Sequence, residues 1–355
     1  MSGGVDSSAT AALLVHLGYE VIGITLQLYD QGAQSAREKS CCAGRDVYDA
    51  RKVAEALDIP HYVLDYQRQF HDEVISEFAD SYMRGETPVP CVLCNQTVKF
   101  RDLLTTARDL GADALATGHY VRRRQGLAGA ELHRAVDLRR DQSYFLFATT
   151  ADQLDGLRFP LGDLGKNDTR ALAARFALPV ATKPDSQDIC FVTGGSYADV
   201  IARLRPEAHE PGPIVHVDGA TIGRHPGVIR FTVGQRRGLG VAWHEPLYVV
   251  RIEAAERRVV VGPRSALYRG ELTIRQTNWL DDEALSARSI SVDVKLRANQ
   301  LAVPASVRGL GERRVAISLE NPQPGVSPGQ ACVIYRGERV LGGGWIEGTD
   351  SQCAA

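Results

Sequence analysis

A glycine-rich loop that leads into a helical segment opens the chain, since residues 2–8 read SGGVDSS and an Ala- and Leu-rich stretch follows. Glycines let the backbone approach phosphate oxygens without a Cβ in the way, and the N–H groups of a helix start favour an anion. The loop lacks the Gly-Lys-Ser/Thr sequence of the Walker A motif. A plain helix entry with a Ser or Asp cap is the alternative. We predict phosphate contacts from Ser2, Gly3, Gly4, Val5, Ser7 and Ser8, with Mg²⁺ held by Asp6.

Three cysteines stand in contexts suited to thiol chemistry: Cys91 and Cys94 form a Cys-x-x-Cys pair after two prolines, and Cys190 follows the polar string DSQD. A helix predicted to begin near Thr97 places Cys94 close to a helix N-terminus, which lowers a thiol pKa. One thiol of a Cys94–Cys190 pair can carry a persulfide while the other resolves it. All three thiolates also suit a 4Fe–4S cluster with one open iron. Three buried, inert cysteines are the third interpretation, and we expect no other metal site.

The composition describes a globular chain without a recognisable export signal. Hydrophobic residues make up 44% and charged residues 24% of its 355 residues, a length suited to two or three domains. We find no run of about 18 apolar residues, so we expect no membrane contact, and no signal-peptide pattern. An odd cysteine count of seven then indicates cytoplasmic thiols. The cysteines outside the three contexts above are Cys41, Cys42, Cys332 and Cys353.

Strand and helix patterns alternate up to about residue 200, which predicts an α/β fold with a doubly wound parallel sheet. Apolar spacing indicates helices at 13–17, 47–57, 103–110 and 169–177, and strands at 21–26, 62–64 and 114–117. A phosphate loop of this type normally follows a buried strand, but only Met1 precedes Ser2. We therefore expect either residues upstream of Met1 or a sheet without its first strand.

The second half of the chain differs in composition: residues 205–245 are rich in Gly and Pro, and short β runs follow. Gly-Pro, Asn-Pro and Pro-Gly turns separate these runs and predict a small antiparallel barrel from Tyr248 onward. The runs are Val249–Ile252, Val259–Val261, Leu272–Gln276, Ile290–Leu296, Arg314–Leu319 and Ala331–Tyr335.

Clustered arginines are the candidates for contacts with nucleic acid, because the net charge of −2 gives no global attraction. Arg236 and Arg237 lie among Gly234, Gly238 and Gly240, and a glycine-rich loop suits close approach to a phosphate backbone. We therefore predict that this arginine pair binds nucleic acid. The run 122–124 is more simply a solvated surface.

Longer strings identify the chain as similar to a family. They are SGGVDS at 2–7, CCAGRDVYDAR at 41–51, PCVLCNQTVKF at 90–100, ATGHY at 116–120, RDQSYFL at 140–146, KPDSQDICF at 183–191, TVGQRRGLG at 232–240 and PGQACVIY at 328–335. In order and spacing these strings resemble the bacterial tRNA-specific 2-thiouridylases, which are PP-loop ATP pyrophosphatases. The resemblance extends from Ser2 to about Ile346.

The resemblance implies a PP-loop domain at 1–203, a small central domain at 204–268 and a C-terminal antiparallel β-barrel at 269–355. It implies ATP-dependent 2-thiolation of the wobble uridine in tRNA, by adenylation of the C2 carbonyl oxygen and sulfur transfer from a cysteine persulfide. The implied cofactors are ATP and Mg²⁺, and the implied partners are tRNA and a sulfur-donor protein. We expect a cytoplasmic monomer.

Site residues also follow from the resemblance. Cys190 would carry the persulfide, and Cys94 would be the nucleophile that ends in a disulfide with it. Leu26 and Gly118 would line the adenosine pocket. Contacts with tRNA, some near a flipped-out base, are implied for Val89, Pro90, Cys91, Arg140, Asp141, Gln142, Arg297 and Ala298, and Arg236 and Arg237 join them.

Two positions depart from the common family pattern. Many members read Asn-Pro-Asp where this chain reads Val89-Pro90-Cys91. A thiol therefore stands where an aspartate is proposed as the acid/base residue, and this replacement favours the three-cysteine cluster. The barrel run 295–299, KLRAN, lacks an aromatic residue and one charge of the usual run. Two other functions stay open: a catalytically impaired nucleotide- or tRNA-binding protein, and another PP-loop adenylating ligase.

Overall fold

A computed structural model describes residues 1–29, 42–185, 189–192, 196–281 and 283–348. Cys41, Cys353, the side chain of Cys42 and the stretch 186–188 of the DSQDIC string lie outside the described residues. The chain forms two compact units, the first from 1–74, 92–191 and 338–340, the second from 75–91, 192–337 and 341–355. The predicted three-domain boundaries stay a prediction.

Helices and strands alternate in the first half of the chain, and strands dominate the second. The helices are α1 Val5–His16, α2 Cys42–Ala56, α3 Gln67–Phe70, α4 Ser76–Met83, α5 Pro90–Cys94, α6 Leu103–Asp109, α7 Ala151–Gly156, α8 Lys166–Arg175 and α9 Tyr197–Leu204. The strands are β1 Gly23–Gln27, β2 His61–Asp65, β3 Leu115–Ala116, β4 Val121–Gln125, β5 Ala130–Arg134, β6 Leu157–Arg158, β7 Gly212–His216, β8 Thr221–His225, β9 Tyr248–Glu253, β10 Arg258–Gly262, β11 Tyr268–Trp279, β12 Ile290–Lys295, β13 Val303–Gly311, β14 Arg314–Pro324, β15 Ala331–Arg336 and β16 Arg339–Ile346. Two π-helical turns cover His71–Ile75 and Asn95–Asp102.

The first unit contains the predicted α/β elements. Strand β1 pairs in parallel with β2, and β3 pairs in parallel with β6. Val5, Ala9 and Ala12 of α1 pack in one buried core with Val53 of α2 and Ala173 of α8. Helix α1 therefore holds the glycine-rich loop at its start against two further helices.

The two parallel ladders are separate sheets in the part of the chain that the structure describes. The backbone at Met1 lies beside β1, since the Thr25 hydroxyl donates to the Met1 carbonyl at 2.6 Å. Residues 1–4 themselves form no strand. The continuous parallel sheet that the alternation predicted is thus present as two pairs of strands.

A hairpin of β4 and β5 was absent from the sequence prediction. Strand β4 reads VRRRQ and gives no apolar alternation. Its arginines lie beside carboxylates instead, with Arg122 2.8 Å from Glu338, Arg123 3.3 Å from Asp155 and Arg124 2.6 Å from Asp163. Such ion pairs agree with the interpretation of the arginine run 122–124 as part of a solvated surface.

The helix around the Cys-x-x-Cys pair begins earlier than predicted. Helix α5 starts at Pro90, where proline suits a first helical position, and continues through the π-helical turn 95–102 into α6. Cys94 has helical angles, φ −57° and ψ −42°. The predicted start near Thr97 was therefore wrong, and Cys94 is the fifth residue of the helix instead of preceding it.

The second unit contains two β structures. Strands β8, β7, β10 and β9 form a four-stranded sheet in that order, around a core that includes Ile214, Val249 and Val259. The runs Val249–Ile252 and Val259–Val261 belong to this sheet. Their assignment to the barrel was wrong, because β10 pairs with β9 and with β7 from the Gly- and Pro-rich region, and β7 in turn pairs with β8.

The C-terminal barrel has the strand order β11-β14-β13-β12-β15-β16 and closes through a β11–β16 pairing. Its interior includes Ile274, Val294, Ile317 and Ile334, and burying each such side chain contributes about 1.5–3 kcal/mol. Gly342 permits the closing pair to approach, since a Cβ there would lie 2.2 Å from the Asn278 carbonyl oxygen. Among the described residues, we find no helix with the length and apolar character needed to span a bilayer.

Candidate nucleotide and thiol site

Two glycines, one within the glycine-rich loop and one beside it, stand where a side chain would not fit. Gly3 has φ +68°, and a Cβ there would lie 2.2 Å from the Asp46 carbonyl oxygen. A Cβ on Gly118 would lie 2.9 Å from both the Asp6 carbonyl carbon and the Ser7 nitrogen. The loop is thus enclosed by α2 on one side and by the segment after β3 on the other.

Hydroxyl groups of the loop bond mainly to the loop itself. The buried Ser8 hydroxyl donates to the Gly4 carbonyl at 2.8 Å, and the Ser2 nitrogen donates to the Ser7 hydroxyl at 3.1 Å. Val5 is buried in the core. Ser2 is exposed and Ser7 half-buried, so these two hydroxyls are the ones accessible to a phosphate.

Lys183 ties the loop to α2. Its ammonium lies 2.9 Å from the Gly3 carbonyl oxygen, 2.7 Å from Asp46 Oδ1 and 2.6 Å from Asp49 Oδ2. Burial lowers the pKa of Lys183, but the two carboxylates outweigh it and the pKa is raised overall. The ammonium therefore stays charged and fixes the left-handed backbone at Gly3.

Asp6 is held on the other side of the loop by a buried ammonium. Lys166 Nζ lies 2.8 Å from Asp6 Oδ1 and 2.9 Å from Oδ2, and the Tyr120 hydroxyl donates to Asp6 Oδ1 at 2.8 Å. The Thr169 hydroxyl lies 3.0 Å from the Tyr120 oxygen. Burial, together with the Asp6 charge, raises the pKa of Tyr120 above its usual range. Tyr120 is consequently a permanent donor to Asp6.

Asp185 forms ion pairs with the ammonium of Lys166 and with two guanidinium groups. Lys166 Nζ and Arg170 Nη2 are each 2.9 Å from Asp185 Oδ1, while Arg140 Nη1 is 3.0 Å from Oδ2. Burial alone would raise the pKa of Asp185, but Lys166, Arg140 and Arg170 lower it below its usual range. This carboxylate is therefore ionised and joins three cations.

The residues expected in the adenosine pocket lie at strand ends of the first unit. Leu26 is half-buried on β1 opposite Leu64, and Gly118 contacts the loop as described above. His119 follows, with Nδ1 2.9 Å from the Thr117 hydroxyl. Burial and then the Lys99 ammonium lower the pKa of His119 well below its usual range. His119 is therefore neutral at neutral pH.

The cysteines differ in accessibility. Cys190 and Cys91 are exposed, and Cys94 is buried with 6% of its surface accessible. Burial raises the pKa of Cys94, and the Lys99 ammonium partly opposes it. The adjacent Asn95 accepts from Lys99 at 3.0 Å and donates to the Phe145 carbonyl at 3.2 Å. Cys94 is therefore a sheltered thiol with a fixed ammonium on its own helical segment.

An iron–sulfur cluster finds no support in the arrangement of the cysteines. Within the residues that the structure describes, no group of three or more His, Cys, Asp or Glu side chains is placed to hold a metal ion. Cys91, Cys94 and Cys190 accordingly do not form the predicted three-thiolate ligand set.

The segment 140–142 (RDQ) of the first unit has one side chain that faces outward and two that face inward. Asp141 accepts from the Ser143 hydroxyl at 2.8 Å and from the Ala135 nitrogen at 3.2 Å. Gln142 accepts from the Tyr120 nitrogen at 2.8 Å. Arg140 has 45% of its side chain exposed. Arg140 is therefore the member of the run that presents a charge to a ligand.

In the second unit, the segment before the cysteines is bound to the barrel. The Thr87 nitrogen donates to the Pro328 carbonyl at 2.7 Å, and Gln330 donates to the Thr87 carbonyl at 3.0 Å. Val89 is half-buried and Pro90 buried. These bonds fix the approach to Cys91.

The remaining predicted RNA contacts differ from each other. Arg236 and Arg237 are exposed and form no ion pair within the described residues. Gln235 fixes their loop by donating to the Arg237 carbonyl at 2.9 Å. The Arg297 guanidinium instead donates to the Pro324 and Gly325 carbonyls, beside the half-buried Ala298. Arg236 and Arg237 are thus the better placed for phosphate contacts.

Comparison with known proteins agrees with this geometry. Models described as the tRNA methyl transferase HUP domain, the tRNA methyl transferase PRC-barrel domain and the aminomethyltransferase beta-barrel domain match residues 1–194, 198–263 and 249–346. The tRNA-specific 2-thiouridylase MnmA of Rhodospirillum centenum is 61% identical over 98% of this chain and 90% of its own length. Those of Maricaulis maris and Rickettsia peacockii are 59% and 57% identical over 98% of this chain and 86% and 95% of theirs. The chain belongs to the tRNA-specific 2-thiouridylase family. The predicted fold class is confirmed.

Sequence reasoning on this family member missed Lys166, Tyr120, Asp185 and Lys183. Lys166 gave one signal, because it occupies the first turn of α8, where the helix dipole disfavours a cation. A lysine at that position calls for a carboxylate partner, and the structure supplies two. Tyr120 and Lys183 lie within the strings ATGHY and KPDSQDICF, but tyrosine and lysine are common on any protein surface and gave no signal of a specific role.

Proposed function

We propose that this enzyme thiolates the wobble uridine of tRNA at its 2-position in an ATP-dependent reaction. The observation that carries the proposal is the glycine-rich loop, which is enclosed by Asp46 and Gly118 and contains the carboxylate of Asp6. Membership of the thiouridylase family supports the substrate. The proposed partners are a tRNA with a wobble uridine and a protein that delivers sulfur.

The first step is adenylation of the uridine. The C2 carbonyl oxygen attacks the α-phosphorus of ATP, the bond to the β-phosphate breaks, and pyrophosphate leaves. The loop N–H groups at the start of α1 favour the phosphate charge, with the accessible Ser2 and Ser7 hydroxyls as further donors. Leu26 on β1 and Gly118 beside the loop are the residues proposed to line the adenosine pocket.

Asp6 suits Mg²⁺, since this ion usually takes one or two protein carboxylates and completes its shell with phosphate and water. The carboxylate is a third exposed and lies on the loop itself. Bound there, Mg²⁺ would neutralise charge on the phosphates. Lys166 and Tyr120 orient the same carboxylate.

The second step is sulfur transfer. The terminal sulfur of a Cys190 persulfide attacks C2 of the adenylated uridine, and Cys94 attacks the Cys190 Sγ. The sulfur–sulfur bond breaks, AMP leaves with the former C2 oxygen, and the uridine keeps the sulfur. Cys94 and Cys190 end as a disulfide, so two electrons from an external dithiol must restore them.

The accessibility of the two thiols supports this division of tasks. Cys190 is exposed, as a thiol that receives sulfur from another protein must be. Cys94 is buried and its pKa is raised, so the resting thiol resists stray oxidation and must lose its proton before it attacks the Cys190 Sγ. Cys91 is exposed and has no task in this scheme.

Purified protein with tRNA, a persulfide donor and ATP labelled in the γ-phosphate tests the proposal. We expect tRNA-dependent release of pyrophosphate, 2-thiouridine in the digested tRNA, and a Cys94–Cys190 disulfide by peptide mass spectrometry. Cys94→Ser and Cys190→Ser should each abolish thiolation but spare pyrophosphate release. Cys332→Ala, within the barrel core, is the matched control and should remain active. Full thiolation by both Ser variants would refute the scheme.

A further inference from the structure

One ammonium joins the nucleotide loop to a possible RNA contact. Lys166 Nζ lies within 2.9 Å of Asp6 and of Asp185, and Asp185 Oδ2 lies 3.0 Å from Arg140. Lys166 has 9% of its side chain exposed, whereas Arg140 has 45%. The result is a continuous chain of ion pairs, Asp6–Lys166–Asp185–Arg140, entirely within the first unit.

We propose that Lys166 is a positioning residue that couples occupancy of the nucleotide loop to the availability of Arg140 for tRNA phosphate. The inference rests on the proposed function, because ATP and tRNA are its two ligands. It adds an energetic link between their sites that acts through Lys166 and Asp185.

The direction of the coupling follows from the charges. A buried ammonium needs a carboxylate partner, and Lys166 has two. A cation at Asp6 shares that carboxylate and leaves Lys166 with Asp185. Asp185 then receives more of the ammonium's charge, and its attraction to Arg140 weakens. The exposed guanidinium of Arg140 becomes free to pair with a phosphate, so ATP with Mg²⁺ should tighten tRNA binding.

Reciprocity makes the coupling measurable from either ligand. If ATP tightens tRNA binding by some factor, tRNA tightens ATP binding by the same factor. Arg170 also lies 2.9 Å from Asp185, which keeps the carboxylate ionised and in place when Lys166 moves. The segment that leads to Cys190 continues directly from Asp185 in the sequence.

The test measures the tRNA dissociation constant with and without Mg²⁺ and a non-hydrolysable ATP analogue, for the full chain. Wild-type affinity should rise at least about fivefold with the analogue. Lys166→Met should bind tRNA weakly whether or not the analogue is present, because Asp185 then holds Arg140 permanently. Asp185→Asn should bind tightly in both conditions, because Arg140 is released. Lys166→Arg should restore part of the coupling.

These opposite effects separate positioning from a merely structural role, which would weaken binding in both variants. Lys52→Met, at an exposed position of α2, is the matched control and should couple as wild type does. Unchanged coupling in Lys166→Met would overturn the inference, as would loss of analogue binding in that variant, which would make Lys166 a plain phosphate ligand. Failure of the proposed function can be distinguished from failure of this inference, because the protein would then bind tRNA but never thiolate it.

Discussion

Replacement of Gly3 by alanine tests whether the shape of the loop, and not merely its sequence, determines nucleotide binding. The new Cβ would lie 2.2 Å from the Asp46 carbonyl oxygen, where ordinary contact begins at 3.4 Å. The obstacle is backbone of α2, held by Lys183 through Gly3 and Asp46. The loop must therefore move by about 1 Å, a displacement that at a reacting centre costs on the order of 100-fold.

Gly18 provides a matched control. It has φ +84° and nothing within 4 Å of an added Cβ, so Gly18→Ala carries the strain of a left-handed alanine without the clash. That strain costs about 1–2 kcal/mol at each position. Thermal denaturation should show a similar loss of stability from strain in both variants, with a further loss in Gly3→Ala.

The decisive assay is kcat/KM for tRNA-dependent pyrophosphate release. We expect Gly3→Ala to fall on the order of 100-fold and Gly18→Ala to match wild type at a temperature where both are folded. Equal activity of the two variants would show that the loop does not hold the phosphates, whatever its resemblance to other nucleotide loops.

Three further changes follow from single contacts. Asp6→Asn keeps the acceptor for Tyr120 but removes the charge, so pyrophosphate release should be lost while the melting temperature changes little; release at the wild-type rate would contradict the assignment of Asp6. Arg236→Ala combined with Arg237→Ala should flatten the salt dependence of tRNA binding. The slope of the log binding constant against log salt concentration should fall by up to about 0.9 per lost phosphate contact. An unchanged slope would show that these two side chains do not contact tRNA phosphates. The folded state lowers the pKa of His119, so wild type should lose stability as pH falls below about 6.5, by up to about 1.4 kcal/mol per unit. His119→Gln should lose less stability over that window in urea denaturation, and parallel curves would show that folding does not lower the pKa of His119.

Periodicity predicted the elements whose apolar faces are continuous. Helix α2, strand β1 and strand β2 were predicted from the apolar residues at 47–57, 21–26 and 62–64 respectively, because each packs one regular face. Strands β13 and β16 were missed, since Pro304 interrupts the first and three successive glycines the second. Their place in the barrel depends on partners distant in sequence, such as β14 and β11.

The candidate site divides in the same way. Its loop and its cysteines were predicted because glycine and cysteine have few common uses, so their spacing is informative. Lys166, Tyr120 and Asp185 are ordinary residue types, and only distances near 3 Å between segments far apart in the chain connect them to Asp6 of the loop. Asp141 lies within a string expected to contact tRNA, and its carboxylate accepts from the nearby Ser143 and Ala135, so its contact with tRNA stays a prediction. A motif therefore identifies the segments that do the chemistry, while the ion pairs between those segments decide which side chain of each faces the ligand.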